Sequence, residues 1–160
     1  MLNQVVSKGF WFAVALVWLV VDLWSKQWAV DTLKETGLGN IDVLPVLRWL
    51  YAENHGAAFS LLSGQRWLLL LIGVVATVML LVLIVKTPKK EYLTLFAYAS
   101  ILGGAVGNIY DRYTLGYVRD MISVYYEPIN FYFAIFNVAD MAISIGVGAM
   151  LLSWLLERRR

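Results

Sequence analysis

The sequence predicts an all-α integral membrane protein of one domain, residues 1–160, with four transmembrane helices, a small extracytoplasmic β-rich element and an interfacial loop. Three observations lead there. Hydrophobic residues make up 61% of the chain and charged residues 15%, against about 25% charged in ordinary soluble domains. Four apolar runs approach the roughly 20 residues that cross a bilayer. The bases gather at Lys8, at Lys86, Lys89 and Lys90, and at Arg158, Arg159 and Arg160, positions that four spans bring to one side.

The first run, about residues 10–30, follows a lone Lys8 as a secretory signal would. It lacks a small-x-small cleavage site and continues through Trp24 and Trp28, so it reads as a retained span. The second, about 67–85, is nearly pure Leu, Val and Ile, the composition of a lipid-facing helix. The third and fourth, about 92–110 and 138–156, are richer in Gly, Ala and Ser and read as packed helices. An even number of spans puts both termini on one side, and the positive-inside bias makes that side cytoplasmic. The loops 31–66 and 111–137 then face outward. Their aromatic residues, among them Trp49, Tyr117 and Tyr132, place them in the membrane interface, with Tyr125 and Tyr126 in an aromatic loop. Ile41 to Tyr51 mixes β-branched and aromatic residues around Pro45, which predicts short strands.

Several chemistries are excluded. The scattered bases form no contiguous nucleic-acid face. The absence of cysteine removes thiol nucleophiles, disulfides and thiolate metal ligands. His55, the only histidine, leaves no zinc set and no ready Ser-His-Asp triad, and adjacent Ser25 and Lys26 point different ways on a helix. No zinc site is expected.

Ionisable groups at membrane depth cost roughly 2.5–3.5 kcal/mol each on insertion, so each calls for a reason. Asp22 and Lys26 are spaced i, i+4 and either simply pair or brace a site. Asp111 and Arg112 close a stretch in which Gly103 and Gly107 form a small-xxx-small packing face. Asn137-Val138-Ala139-Asp140 reads as a helix N-cap with an acid at its third position, so Asp140 caps, catalyses or does both. Asp120 lies in the apolar stretch Tyr117 to Ile122, where it is either used or paired with Arg119. Paired aspartates are the simplest catalytic set. A proton relay would spread acids through the depth of the bilayer, yet the interiors of spans two and three carry none. A non-enzymatic assembly factor would not need the aspartates.

Five stretches carry a resemblance: D-L-W-S-K from Asp22, N-H-G-A-A-F-S from Asn54, G-G-A-V-G-N-I-Y-D-R from Gly103, G-Y-V-R-D-M-I from Gly116 and F-N-V-A-D from Phe136. In this order and on four spans, the chain resembles bacterial lipoprotein signal peptidase, signal peptidase II, over nearly its whole length. The resemblance implies an aspartic endopeptidase of the bacterial inner membrane, monomeric and free of cofactors, acting among membrane lipid near the extracytoplasmic face. Its substrates would be lipid-modified prolipoproteins, cut just before the diacylglyceryl-modified cysteine. On matching positions the catalytic pair falls on Asp120 and Asp140. Asp22, Lys26, Asn54, Gly56, Asn108, Asp111, Arg112 and Asn137 fall on positions that line or support the site. Met121 stands where the family usually has phenylalanine, and the 20 positions between the two aspartates include a loop that tends to vary.

Such a pair would share one proton, because two close carboxylates do not both ionise cheaply. The positive end of a helix favours charge on Asp140, so Asp120 is expected to hold the proton more often.

Overall fold

The computed structural model describes residues 6–57 and 61–158. Ala58–Ser60 of the N-H-G-A-A-F-S stretch, and Arg159 and Arg160 of the last basic group, lie outside the described residues.

Four long helices carry the apolar runs: α1 (Lys8–Ala29), α2 (Arg66–Lys86), α3 (Tyr92–Thr114) and α4 (Val138–Glu157). By length and composition all four are able to cross a membrane. α1 continues through a π-helical turn, Val30–Lys34, before the chain enters β1 (Asn40–Leu44) and β2 (Leu47–Asn54). After α3 come β3 (Val118–Tyr126), a 3₁₀ turn at Glu127–Ile129 and β4 (Phe131–Tyr132). The strands form one antiparallel sheet in the order β1-β2-β3-β4.

The helices follow their compositions. α2 exposes Leu71, Val75, Val78 and Val85 and buries only Leu70, Leu80 and Ile84, a surface suited to lipid. α3 is the central helix and packs against the other three. It comes close because its glycines leave room: an added Cβ at Gly103 would overlap the Ala15 carbonyl of α1, and one at Gly104 the Ala139 carbonyl of α4. At the opposite end from the sheet, Lys8 Nζ donates to the carbonyls of Ile84 and Thr87, the last turn of α2. This contact caps α2 and holds two of the basic groups together.

Two apolar clusters organise the interior. Trp11, Ala15, Leu80, Ile84, Leu95, Ala99 and Leu102 join α1, α2 and α3. Ala29, Leu33, Met121 and Ile122, flanked by Trp28, Trp49 and Phe136, seal the end of α1 against the sheet. Met121 is fully buried there, where a flexible thioether packs among Ala29, Leu33 and Ile122 without a polar cost.

Two expectations are corrected. α3 runs to Thr114, about a turn beyond its expected end, because Asp111 and Arg112 find partners within the bundle and stay helical. Tyr125 and Tyr126 belong to strand β3 and not to an aromatic loop. β3 reads as neither alternating nor amphipathic because residues on both its faces are buried.

Close contact at Gly104 sets where α4 begins. Gly104→Ala is expected to lower stability by about 1–3 kcal/mol through overpacking. Gly148→Ala, whose Cβ meets nothing within 4 Å, is expected to be neutral or slightly stabilising. Thermal unfolding in detergent compares them.

Candidate active site

Strand β3 and the first turn of α4 bring Asp120 and Asp140 to the same place. Their meeting depends on Phe136, whose N–H donates to the Ile122 carbonyl and whose carbonyl accepts from the N–H groups of Met121 and Ile122. The chain is thus bound to β3 two residues before α4 begins at Val138. Asn137, the next residue, is fully buried and serves both aspartates. Its Nδ2 donates to Asp120 Oδ1 at 2.7 Å, and its backbone N–H donates to Asp140 Oδ2 at 3.3 Å.

The start of α4 is a capping box. Asn137 Oδ1 accepts from the Asp140 N–H at 2.9 Å while Asp140 Oδ2 receives the Asn137 N–H. The other oxygen of Asp140, Oδ1, accepts from Asn108 Nδ2 at 2.9 Å. Asp140 therefore caps α4 with one oxygen and turns the other to Asn108, on the side of the helix start that faces Asp120.

Asp120 is held from its other side by β2, where Ala52 is its register partner. Asn54 Nδ2 donates to Asp120 Oδ2 at 3.0 Å, and Asn54 Oδ1 accepts from the Gly56 N–H at 2.9 Å. Arg112 reaches from α3 to the Gly56 carbonyl at 2.7 Å. Each amide of this shell is thereby oriented by a partner at its far end. Burial, then the neighbouring Asp140 carboxylate, push the Asp120 carboxyl up to about 7.

Beneath the pair lies a charged network. Lys26 Nζ donates to Asp22 Oδ2 at 2.7 Å and to Asn108 Oδ1 at 3.0 Å, and lies 3.6 Å from Asp111 Oδ2. Lys26, Asp22 and Asp111 are all fully buried. Asp22 Oδ1 accepts the Ala139 N–H at 2.8 Å, so a carboxylate from α1 satisfies a free N–H in the first turn of α4. Gly107 makes this possible, since a Cβ there would strike the Asp22 carboxylate.

Every candidate residue from the sequence falls in this cluster. Two further members complete it: Arg119, which the sequence offered as a partner of Asp120 but which pairs with Asp111, and Gln27, which had no sequence signal and accepts from Arg119. Their partners lie on other elements, so only the fold reveals them. Among the described residues, no group of three or more His, Asp or Glu side chains is arranged to hold a metal ion.

An apolar cavity of about 530 Å³ opens beside the pair. Phe133, Ile135, Phe136, Met141 and Ile145 line it, with Asn54, Asn108, Arg112 and Asp140 on its polar side. A buried acid with a raised carboxyl beside a second, half-buried acid at the edge of an apolar groove suits general acid–base hydrolysis of an extended or lipid-bearing chain.

The family model described as signal peptidase (SPase) II matches residues 14–156. A lipoprotein signal peptidase from Dichelobacter nodosus is 41% identical over 157 residues, covering 95% of this chain and 97% of that one. One from Acinetobacter baumannii is 38% identical over 155 residues, covering 94% and 86%. Two solved bacterial membrane enzyme structures, determined by the in meso method, superpose with TM-scores of 0.81 and 0.79 at 26% and 28% identity. They cover 94% and 92% of this chain, and 90% and 93% of theirs.

Two stability experiments follow from the site. Lys26→Met strands two buried carboxylates and is expected to cost about 3–5 kcal/mol in unfolding. Lys34→Met, which breaks the exposed pair with Glu53, is expected to leave the unfolding midpoint unchanged. The second concerns pH. The folded chain keeps the Asp120 proton up to about pH 7, whereas an unfolded aspartate loses it near about 4. The folded state binds more protons across that window, so stability falls as pH rises through it. Asp120→Asn is expected to gain on wild type by about 1.4 kcal/mol per pH unit there, read by denaturant unfolding at a series of pH values.

Proposed function

Because the chain belongs to the signal peptidase II family, whose work is removal of the signal peptide from prolipoproteins, we propose that Asp120 and Asp140 are the catalytic pair of an intramembrane aspartic endopeptidase. The observation that carries this reading is Asn137, which binds one carboxylate through its side chain and the other through its backbone N–H. That bridge fixes the two acids relative to each other before any substrate arrives.

In the proposed reaction the pair holds one proton, with Asp120 as its resting place because burial and the Asp140 charge favour its neutral form. Asp140, ionised at the start of α4, takes a proton from a water molecule lodged between the carboxyls. The resulting hydroxide attacks the carbonyl carbon of the residue before the lipid-modified cysteine, while Asp120 gives its proton to the carbonyl oxygen. Collapse of the tetrahedral diol breaks the C–N bond. Asp140 returns its proton to the leaving amine of the cysteine, and Asp120 recovers one from the diol hydroxyl. No covalent intermediate forms.

The supporting residues take their roles from their contacts. Asn54, Asn108 and Asn137 orient the carboxylates. Asp22, Lys26 and Asp111 brace the elements from which the carboxylates project. Arg112 and Gly56 shape the rim where the substrate backbone passes. The apolar cavity takes the side chains or acyl chains flanking the cut. With Lys8 tied to the last turn of α2 at the end remote from the sheet, the basic ends lie in the cytoplasm. The dyad and the sheet then lie toward the extracytoplasmic face of the inner membrane, and one chain suffices for the chemistry.

A gel-shift assay tests the assignment with a purified diacylglyceryl-modified prolipoprotein and detergent-solubilised protein at matched folded levels. Wild type is expected to cleave, and Asp120→Asn and Asp140→Asn each to lose at least about a thousandfold in rate. Cleavage at wild-type rate by either variant would remove that aspartate from the mechanism. Failure of the wild type on well-formed substrate would overturn the peptidase reading.

A further inference from the structure

Arg119 precedes Asp120 on β3, and successive residues of a strand face opposite ways. Asp120 faces Asn54 and Asn137, while Arg119 faces the helices. Its guanidinium forks onto Asp111, with Nε at 3.1 Å from Oδ2 and Nη2 at 2.8 Å from Oδ1. Nη1 donates to Gln27 Oε1 on α1 at 3.2 Å. The backbone is engaged as well: the Arg119 N–H donates to Asp111 Oδ2 at 3.0 Å, and its carbonyl accepts from Asn137 Nδ2 at 3.4 Å. A residue that is 7% exposed thus ties β3 to α1, α3 and the start of α4 at the position next to Asp120.

The charges around the pair give Arg119 a second role. α1 supplies Asp22 and Lys26, α3 supplies Asp111 and Arg112, β3 supplies Arg119, and α4 supplies Asp140 opposite Asp120. β2 presents the neutral Asn54 and Tyr51, and its Glu53 pairs with Lys34 farther out. Three cations therefore face Asp22, Asp111 and the dyad. The cluster is neutral when the dyad carries one proton, the state that peptide hydrolysis requires.

Resting on the peptidase reading above, we propose that Arg119 is a positioning residue for the reaction: its fork on Asp111 and its bond to Gln27 fix where β3 presents Asp120, and its charge holds the buried site at the balance that leaves one proton on the dyad. Lysine at this position keeps the charge and loses the planar fork. Methionine keeps the volume and loses both.

The test measures kcat and KM against pH for wild type, Arg119→Lys and Arg119→Met. The substrate is a diacylglyceryl-modified peptide with a fluorophore and quencher flanking the scissile bond, and rates are normalised to folded protein. Arg119→Lys is expected to lose about tenfold in kcat with KM within about twofold and the pH limbs in place. Arg119→Met is expected to lose about a hundredfold, with both limbs moved to higher pH by about half a unit or more, because a nearby cation has gone. Wild-type kcat and unmoved limbs in the folded variants would make Arg119 a stabilising contact only and overturn the proposal. If Arg119→Met does not fold, the Lys variant decides, wild-type kcat counting against the proposal and a selective kcat loss for it. A wild type that fails to cleave overturns the peptidase reading instead, and this proposal with it.

Discussion

Lys26 Nζ sits among three helices with no exposed surface of its own, and its partners on α1 and α3 are two carboxylates and an amide oxygen. An ammonium buried without them would lose several kcal/mol of solvation. This requirement fixes more than one contact. Asp22 answers the charge with one oxygen and uses the other to receive the Ala139 N–H, which sets the height of α4. Asn108 answers it with its oxygen and so must turn its Nδ2 toward Asp140. Asp111 shares itself between Lys26 and Arg119 and thereby joins β3 to the bundle. The glycines of α3 belong to the same logic, because such short bonds require helix axes closer than larger side chains allow.

The start of α4 combines two demands that often compete. A helix needs its first N–H groups satisfied, and an acid used for proton transfer needs a fixed orientation. Here Asp140 lends one oxygen to the capping box and keeps the other on Asn108. The N–H left over in the first turn is met by Asp22 from across the bundle. In the proposed reaction, local stability and chemical readiness draw on the same bonds.

Much of this was legible in the sequence, for identifiable reasons. The four helices announce themselves because an apolar run of bilayer length has few other uses. Asp22 with Lys26 is readable because i, i+4 spacing puts them on one face, and the cap at Asn137 because its pattern is local. β3 was not legible as a strand. Its residues are buried on both faces, with α1 and α3 packed against it, so the alternation that marks a half-buried strand is missing. Arg119 looked like a partner for the acid beside it, yet strand geometry turns neighbours apart and delivers it to Asp111 eight residues earlier. The reach of α3 through Asp111 and Arg112 likewise depends on partners that only the assembled bundle supplies.

The bond between Phe136 and Ile122 separates two stretches of chain with different freedoms. From Phe136 to Asp140 the chain is held by hydrogen bonds at Phe136, Asn137, Ala139 and Asp140. Before it, the chain from Glu127 to Ile135 runs through the 3₁₀ turn and the short pairing of β4 with β3 to the same anchor, and Phe133 and Ile135 line the apolar cavity. Insertions, deletions and changes of side chain in this stretch alter the wall of the groove while the acids keep their separation. Under the proposed function, divergence in cargo preference accumulates in this short segment with the acid pair held apart from it, like interchangeable jaws on a fixed hinge.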